Sequence, residues 1–154
     1  MNQDMKNIFM DAAIEEAYEG IRNGHGGPFG AVVVKDGKIV GRGHNRVDIS
    51  KDPTAHGEID AIRNACENLG TEDLTGCDVY TTAEPCPMCR AAMVWANIGK
   101  TFYGGSDMDT ADIGCRNAAK YDRLKADPEG RLDSEQFRRE DCLQILKEYE
   151  ELQK

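Results

Sequence analysis

Two short motifs constrain this chain more than any other feature of its sequence. The first is His56-Gly57-Glu58, and the second is Pro85-Cys86-Pro87-Met88-Cys89. One imidazole and two thiols offer three ligands to a zinc ion, and a carboxylate remains beside them. A structural zinc site closes its tetrahedron with four protein ligands, whereas a catalytic site keeps three and leaves one position for water. The motifs therefore predict one catalytic zinc per chain, with His56, Cys86 and Cys89 as ligands and Glu58 as the group that transfers protons.

The spacing within each motif predicts two helices that begin at the metal. Cys86 and Cys89 are three residues apart, so in the first turn of a helix their sulfur atoms share one face. Prolines suit such a helix entry, where a missing N–H leaves no hydrogen bond unmade. His56 and Glu58 would point to opposite sides in mid-helix, so a second helix must also begin at the ion. We expect the Thr54 hydroxyl to cap it.

Length and composition predict a single folded domain over residues 1–154. The chain is 40% hydrophobic and 31% charged, which is ordinary for a globular protein. No apolar run approaches the roughly 20 residues that span a bilayer, and residues 1–6 lack the apolar core of a secretory signal. These features predict a cytoplasmic location. In that compartment we expect four further cysteines to be buried free thiols, namely Cys66, Cys77, Cys115 and Cys142.

Net charge argues against nucleic acid as the substrate. The formal net charge is −9 at pH 7, whereas a surface that follows phosphates is basic. The basic pair Arg138-Arg139 is followed at once by Glu140-Asp141, so the C-terminal positive charges are interleaved with negative ones.

Hydrophobic periodicity predicts helices that alternate with strands, and hence an α/β fold with a central sheet. Asp36-Gly37 indicates a hairpin turn between the first two strands. Residues 106–130 show no clear period. A last helix follows from about residue 134, and its apolar stripe is expected to pack on the chain's own sheet: Phe137, Cys142, Ile145, Leu146, Tyr149 and Leu152. The predicted helices are 4–23, 57–69 and 89–97, and the predicted strands are 31–35, 38–43, 78–82 and 100–103.

Asn45 follows the second strand, and two interpretations remain open for it. Its amide is typical of a turn residue, which hydrogen-bonds its own backbone. It can equally hold a substrate ring at the end of the strand.

Several stretches together resemble the cytidine-deaminase superfamily and, within it, the bacterial guanine deaminases. The resemblance implies a three-layer α/β/α fold with a mixed five-stranded sheet. It also implies a homodimer in which the C-terminal segment, about residues 130–154, is exchanged so that the partner completes each active site. The stretches that carry the resemblance are 27–31, 43–45, 52–58, 84–89 and 109–111.

The resemblance also implies roles for residues around the metal. Asn45 would hydrogen-bond the base, and Phe29 would form a wall of the pocket. The backbone around Ala55, Gly57 and Glu84 would hold the ring and the leaving amine. Asn117 stands near the position of an acidic residue that bonds the purine in guanine deaminases, so this chain departs from their pattern there. Its last aromatic residue is Tyr149, whereas the tails of those enzymes end in tyrosine.

The implied reaction is hydrolytic deamination of a free nucleobase, with guanine converted to xanthine and ammonia. Cytosine deamination to uracil is the alternative, because His56-Gly57-Glu58 and residues 41–45 are spelled as in fungal cytosine deaminases. Deamination of adenosine in transfer RNA shares the motif but needs a basic path for the backbone. A non-catalytic zinc module would need a second pair of ligands, and neither His25 nor His44 has a partner at the required spacing.

Overall fold

A computed structural model describes residues 3–112, 136, 138–152 and 154. The chain divides into two compact units, Met1–Tyr121 and Asp122–Lys154. The first unit carries the sheet and both metal motifs. The helices are α1 (Gln3–Arg22), α2 (Val47–Ser50), α3 (Gly57–Leu69), α4 (Pro87–Trp95), α5 (Asp107–Asp112) and α6 (Arg139–Leu152), and the strands are β1 (Gly30–Lys35), β2 (Lys38–His44), β3 (Cys77–Ala83) and β4 (Thr101–Gly105).

The sheet is mixed, with the strand order β2-β1-β3-β4. Strand β1 runs antiparallel to both β2 and β3, while β3 and β4 are parallel. The α/β class and the mixed sheet are therefore confirmed. The expected count of five strands is not met, because the described part of the chain contains four.

The β1–β2 hairpin forms where the sequence predicts it. Asp36 and Gly37 have φ angles of 50° and 75°. Positive φ at both central residues gives a turn whose twist matches that of the flanking strands. The register of this pair shifts between Val33 and Val34, which leaves Val40 as the extra residue of a bulge in β2.

Helices cover both faces of the sheet, as the alternation of side chains along β1 requires. On one face, Val32 and Val34 pack with Phe9 of α1. On the opposite face, Val33 packs with Ala61 of α3, and Met93 of α4 belongs to the same cluster. The helix that carries His56-Gly57-Glu58 and the helix that carries the two cysteines thus lie on the same side of the sheet.

Glycines in β2 let α3 approach the sheet closely. A Cβ atom at Gly41 would lie 2.6 Å from the Ala65 Cβ and 2.6 Å from the Ala61 carbonyl oxygen. A Cβ at Gly43 would lie 2.5 Å from the Ala61 backbone nitrogen. We call this contact of Gly41 and Gly43 with α3 the glycine contact. It fixes the height of α3 above the sheet, and therefore the position of its first turn.

The predicted element boundaries up to β4 are confirmed within two residues. The last helix, which was predicted from about residue 134, instead begins at Arg139, because the φ of 57° at Arg138 is not compatible with an α-helix. Helix α3 spans the predicted 57–69 and ends at Gly70, whose φ is 67°. Helix α4 begins at Pro87, two residues before the predicted start, because proline is tolerated in the first turn. The short helices α2 and α5 were not predicted from the sequence, since four and six residues show too little periodicity.

The second unit contributes α6. Its predicted apolar stripe cannot be compared in full, because Phe137 and the side chains of Cys142, Ile145, Leu146 and Tyr149 lie outside the described residues. Leu152 is 75% exposed. Among the described residues, no helix combines the length and the hydropathy that crossing a bilayer requires.

Candidate metal centre and active site

The structure brings the three predicted metal ligands together. His56 Nδ1 lies 3.5 Å from Cys86 Sγ and 3.5 Å from Cys89 Sγ. All three ligand atoms lie within 4.8 Å of one another. Cys89 is fully buried, and the other two are partly exposed. One side of the cluster therefore faces the protein interior while part of it remains accessible.

These distances fit a tetrahedral zinc ion. Zinc binds sulfur at about 2.3 Å and imidazole nitrogen at about 2.0–2.1 Å, so a tetrahedral angle places the two atoms about 3.6 Å apart. The observed 3.5 Å separations agree with that value for both sulfur–nitrogen pairs. Two thiols and an imidazole are also ligands that zinc prefers. This donor set can hold zinc with the fourth corner left to a small molecule.

Two helix N-termini meet at the cluster, as the spacing predicts. His56 is the N-cap residue of α3, and Cys86 is the N-cap residue of α4. The positive ends of both helix dipoles therefore lie beside the thiols and favour their ionised form. The prediction that Thr54 caps α3 is wrong. Its hydroxyl bonds Asp52 Oδ1 at 2.7 Å, because Asp52 precedes it in a local turn.

Hydrogen bonds among the three ligand side chains shift their pKa values. A hydrogen bond from the Cys89 thiol, with a second from His56, lowers the pKa of Cys86 to about 4. The same bond and burial raise the pKa of Cys89. The bond to Cys86 also raises the pKa of His56. Zinc replaces these shared protons, since it binds thiolates and a neutral imidazole.

Glu58 is a buried carboxyl group next to the ligands. Its residue is 6% exposed and lies in the first turn of α3, two positions after His56. Burial raises its pKa, since desolvation disfavours the charged form. Glu58 forms no ion pair with any residue that the structure describes. It is therefore a carboxyl group that can take up and release a proton beside the metal ligands.

Asn45 and Phe29 lie together at the end of β2. The Asn45 N–H donates to the Phe29 carbonyl at 2.9 Å. The Asn45 Oδ1 accepts a hydrogen bond from the Val47 N–H at 3.0 Å, which is the turn that the first interpretation predicts. Its amide Nδ2 is a separate donor, so the turn does not prevent this side chain from also contacting a substrate.

Ala55 and Gly57 connect this region to the metal ligands through the backbone. The Ala55 carbonyl accepts the Arg46 N–H at 2.8 Å. A Cβ atom at Gly57 would lie 3.2 Å from the Phe29 carbonyl oxygen, so α3 begins directly against the Phe29 backbone. The structure therefore places Phe29, Asn45, Ala55 and Gly57 in one connected region beside His56 and Glu58.

The Glu84 side chain has a role that the sequence did not reveal. Its Oε2 accepts a hydrogen bond from Arg90 Nη2 at 2.7 Å, and its Oε1 accepts the Asp107 N–H at 2.9 Å. Arg90 Nε also donates to the Pro85 carbonyl at 2.9 Å. These bonds hold the segment that enters α4 against the start of α5. The predicted contact of Asn117 with substrate lies outside the described residues.

Comparison with known proteins identifies the family of this arrangement. The family model described as the cytidine and deoxycytidylate deaminase zinc-binding region matches residues 3–105, which is more than half of the chain. The chain belongs to this deaminase family. The deaminase therefore uses zinc, and its candidate ligand group is His56, Cys86 and Cys89.

Characterised relatives of this deaminase act on more than one kind of substrate. It is 46% identical to guanine deaminase of Bacillus subtilis over 123 residues, which cover 80% of this chain and 79% of that protein. The X-ray structure of guanine deaminase from Bacillus subtilis superposes with a TM-score of 0.77 at 41% identity, covering 90% of this chain and 85% of that one. The tRNA-specific adenosine deaminase of Aquifex aeolicus is 43% identical over 102 residues, covering 66% of this chain and 67% of that protein.

Some contacts of the deaminase site could not be read from the motifs. The Arg90–Glu84 and Glu84–Asp107 bonds join residues that no periodicity relates. The only sequence signal was an arginine directly after Cys89. His25 and His44 form no zinc-ligand pair in the sequence, and nothing in their spacing predicts that their ring nitrogens lie 2.8 Å apart in the fold.

Proposed function

We propose that this deaminase hydrolyses free guanine to xanthine and ammonia. The observation that carries the proposal is its 46% identity to a guanine deaminase over 80% of the chain. The buried carboxyl of Glu58 beside the metal ligands supports a proton-transfer reaction on a small heterocycle. In the reaction one water is consumed, the bond from the ring carbon to the amino nitrogen is broken, and ammonia leaves.

Each site residue has a proposed role in this chemistry. When bound to His56, Cys86 and Cys89, zinc supplies a Lewis acid that lowers the pKa of water to about 7. Glu58 accepts the proton of the attacking water and gives it to the neighbouring ring nitrogen. Its raised pKa suits this exchange, because a carboxylate that is a stronger base takes up a proton more readily. Glu58 then takes the remaining proton of the added hydroxyl and gives it to the departing amine, so that a carbonyl forms as ammonia leaves.

Substrate binding is assigned to the connected region beside the metal ligands. Asn45 would donate from Nδ2 to the base, and Phe29 would form one wall. The backbone of Ala55, Gly57 and Glu84 would hold the ring and the leaving amine, and Asn117 would contact the purine. For Glu84 only the main chain is assigned, since Arg90 and Asp107 occupy its carboxylate.

The test of the proposed substrate is ammonia release from a panel of free bases and nucleosides. We expect guanine to be converted to xanthine, with cytosine, adenine and the nucleosides turned over far more slowly. Uracil production from cytosine as the fastest reaction would replace guanine with the alternative substrate. Ammonia release from none of the panel would refute a free-base deaminase.

Deamination of adenosine in transfer RNA is the second candidate, because an adenosine deaminase of this kind is 43% identical over 102 residues. The net charge of −9 opposes it, since binding of a phosphate backbone is dominated by Lys and Arg. A gel shift with transfer RNA at moderate salt separates the two functions. We expect no complex, and a salt-dependent complex with inosine formation would favour this candidate.

We also propose that the deaminase is one domain that works as a cytoplasmic homodimer, with residues 130–154 exchanged and a fifth strand in each sheet. The resemblance to bacterial guanine deaminases supports this assembly. Sedimentation at several concentrations tests the dimer, and a monomer throughout would refute it. Deletion of residues 130–154 tests the exchange. We expect activity to be lost and then partly restored by mixing with a Glu58→Gln chain, which supplies an intact C-terminal segment.

A further inference from the structure

Three side chains form a hydrogen-bonded chain outside the metal centre. Glu16 lies on α1, His44 ends β2, and His25 lies in the loop after α1. His44 Nδ1 is 2.9 Å from Glu16 Oε1, and His44 Nε2 is 2.8 Å from His25 Nδ1. The His44 residue is 3% exposed. The two imidazole planes are inclined by only 14° with centroids 5.0 Å apart, so the rings meet through their nitrogen edges. We call this chain the histidine relay.

The carboxylate of Glu16 determines which ring nitrogens of His44 and His25 carry a hydrogen. An ionised carboxylate only accepts hydrogen bonds, so Nδ1 of His44 must carry the proton that it donates to Glu16. In the neutral ring, Nε2 of His44 then has no hydrogen and must accept. The partner atom, Nδ1 of His25, must therefore donate. With both rings neutral, the contact thus requires one tautomer of each ring.

The relay ends where the proposed substrate residues begin. His44 directly precedes Asn45, and His25 directly precedes Gly26. A Cβ atom at Gly26 would overlap Asn45 Oδ1 and lie 2.8 Å from the Asn45 carbonyl oxygen, so the two backbones touch there. The His25 carbonyl also accepts the N–H groups of Asp48 and Ile49, at 3.1 and 3.0 Å. The loop at 23–29 is thus joined to residues 44–49 by side chains and backbone alike.

Two further contacts hold Glu16 and His44 in place. Arg42 Nε lies 3.9 Å from Glu16 Oε2. The backbone N–H of His44 donates to Asp60 Oδ2 at 3.1 Å, and this bond connects His44 to the first turn of α3. His44 therefore has fixed partners on α1, on α3 and in the loop, and its ring has little freedom to rotate.

We propose that Glu16, His44 and His25 are positioning residues that hold Asn45 and the Phe29 loop in the geometry that receives the base. The inference rests on the proposed function, because it assigns substrate contacts to Asn45 and Phe29. The relay touches neither the metal ligands nor Glu58 in the described contacts. Breaking it should therefore weaken substrate binding and leave the chemical step and the metal in place.

The kinetic test compares three variants of the full-length holoenzyme. His25→Phe keeps a planar ring but removes the donor, Glu16→Ala removes the acceptor, and His25→Asn retains a donor near the position of Nδ1. We expect the first two to raise KM for guanine about tenfold, with kcat within about threefold of wild type. His25→Asn should recover most of the loss. Zinc content should be unchanged in all three, and an unchanged KM in His25→Phe would overturn the proposal.

A matched control separates the relay from a second cation site. The ligand atoms of Glu16, Glu19 and His44 all lie within 4.8 Å of one another, but Glu19 is exposed. Glu19→Gln should behave as wild type if the relay acts through hydrogen bonds alone. If Glu19→Gln reproduces the KM of Glu16→Ala and the wild type holds a second metal ion per chain, the relay is a metal site and the proposal fails.

A spectroscopic measurement tests the relay without any substrate. In protein labelled with ¹⁵N, a scalar coupling between His25 Nδ1 and His44 Nε2 is transmitted only through their hydrogen bond. We expect that coupling, together with the Nδ1–H tautomer of His44. If guanine is not a substrate, this result still stands and the base that is turned over replaces guanine in the kinetic test. Absence of the coupling, or an Nε2–H tautomer of His44, would show that the relay does not form.

Discussion

Glu58 combines a fully surrounded carboxyl group with a position two residues from a metal ligand. Its residue is 6% exposed, and burial raises its pKa. A hydrogen bond from the Cys89 thiol favours its charged form and partly offsets the cost of burial. The carboxyl group therefore lies against a metal ligand, where the proton transfer that we propose takes place.

Replacing Glu58 by glutamine should abolish turnover and preserve the metal. Glutamine has nearly the same shape but cannot exchange the proton, so we expect kcat to fall about 10²- to 10⁴-fold. Zinc content, measured by elemental analysis, should stay at the wild-type value. Glu67→Gln on the exposed side of the same helix is the control and should be fully active. Undiminished activity in Glu58→Gln would remove Glu58 from the reaction.

The two functions of Asn45 can be separated by one substitution. Asn45→Asp retains an oxygen to accept the Val47 N–H but replaces the Nδ2 donor with a second oxygen. We expect kcat/KM for guanine to fall about 10- to 100-fold, because a substrate acceptor then faces an oxygen. The melting temperature should remain within a few degrees of wild type. Equal losses of stability and activity would instead mean that Asn45 acts only in its turn.

At the level of single residues, the sequence predicts the metal ligands well and the supporting contacts poorly. His56, Cys86 and Cys89 could be identified because their residue types and spacing are those of a zinc site. The hydrogen bonds of Glu84 with Arg90 and Asp107 depend on how α4 and α5 approach each other. No local pattern records that approach.

At the level of elements, the contact of β2 with α3 determines where the metal ligands lie. Helix α3 contacts Gly41 and Gly43 through its own backbone and two alanines, Ala61 and Ala65. The helix was predicted from its periodicity and from Gly70 at its end. Its close approach was not predicted, because a glycine in a strand has several explanations and only the fold selects among them.

A side chain at Gly41 should therefore destabilise the protein. In Gly41→Ala the added carbon would lie 2.6 Å from atoms of Ala61 and Ala65, so α3 must move. We expect a loss of about 1–3 kcal/mol in the free energy of unfolding, as overpacking usually costs. Urea denaturation measures it.

The control for this prediction is Gly24→Ala. Gly24 has a φ of 68° but nothing within 4 Å of its Cβ position, so the control contains backbone strain without a clash. We expect it to lose about 1 kcal/mol. A Gly41→Ala protein as stable as wild type would mean that the glycine contact does not fix the position of α3.

At the level of the whole molecule, zinc should link the two halves of the first unit. His56 is the N-cap residue of α3, and the two cysteines lie at the start of α4, with β3 between them in the chain. An ion that binds only the folded state stabilises it by mass action. The metal should therefore contribute to the stability of the entire unit and not only to the reaction.

Removing zinc should lower the melting temperature. At an ion concentration about 1,000 times its Kd, bound metal adds about 4 kcal/mol, which corresponds to roughly 8–16 °C for a domain of this size. We expect a chelator to produce a shift of this order and added zinc to reverse it. Cys89→Ser should melt low and respond to neither reagent, whereas Cys66→Ser should respond as wild type does. A melting temperature insensitive to chelation would contradict a tightly bound ion.

The cysteine controls rely on a prediction that the structure confirms in part. Cys66 and Cys77 are free thiols, but only Cys77 is buried and Cys66 is partly exposed. Desolvation raises the pKa of each. Both belong to or pack against the cluster between the sheet and α3. Cys115 and the side chain of Cys142 lie outside the described residues, so the same prediction stays open for them.

The glycine contact has a consequence for efforts to redirect this deaminase toward other bases. At Gly41 and Gly43 the strand backbone contacts the helix backbone directly, so almost no other residue fits at these positions, in evolution or in a mutant library. The loop at 23–29 is different, since Phe29 contacts Asn45 and the start of α3, and the loop is held by side chains that can be exchanged. Substitutions that change substrate preference should therefore accumulate in that loop, while Gly41 and Gly43 stay unchanged.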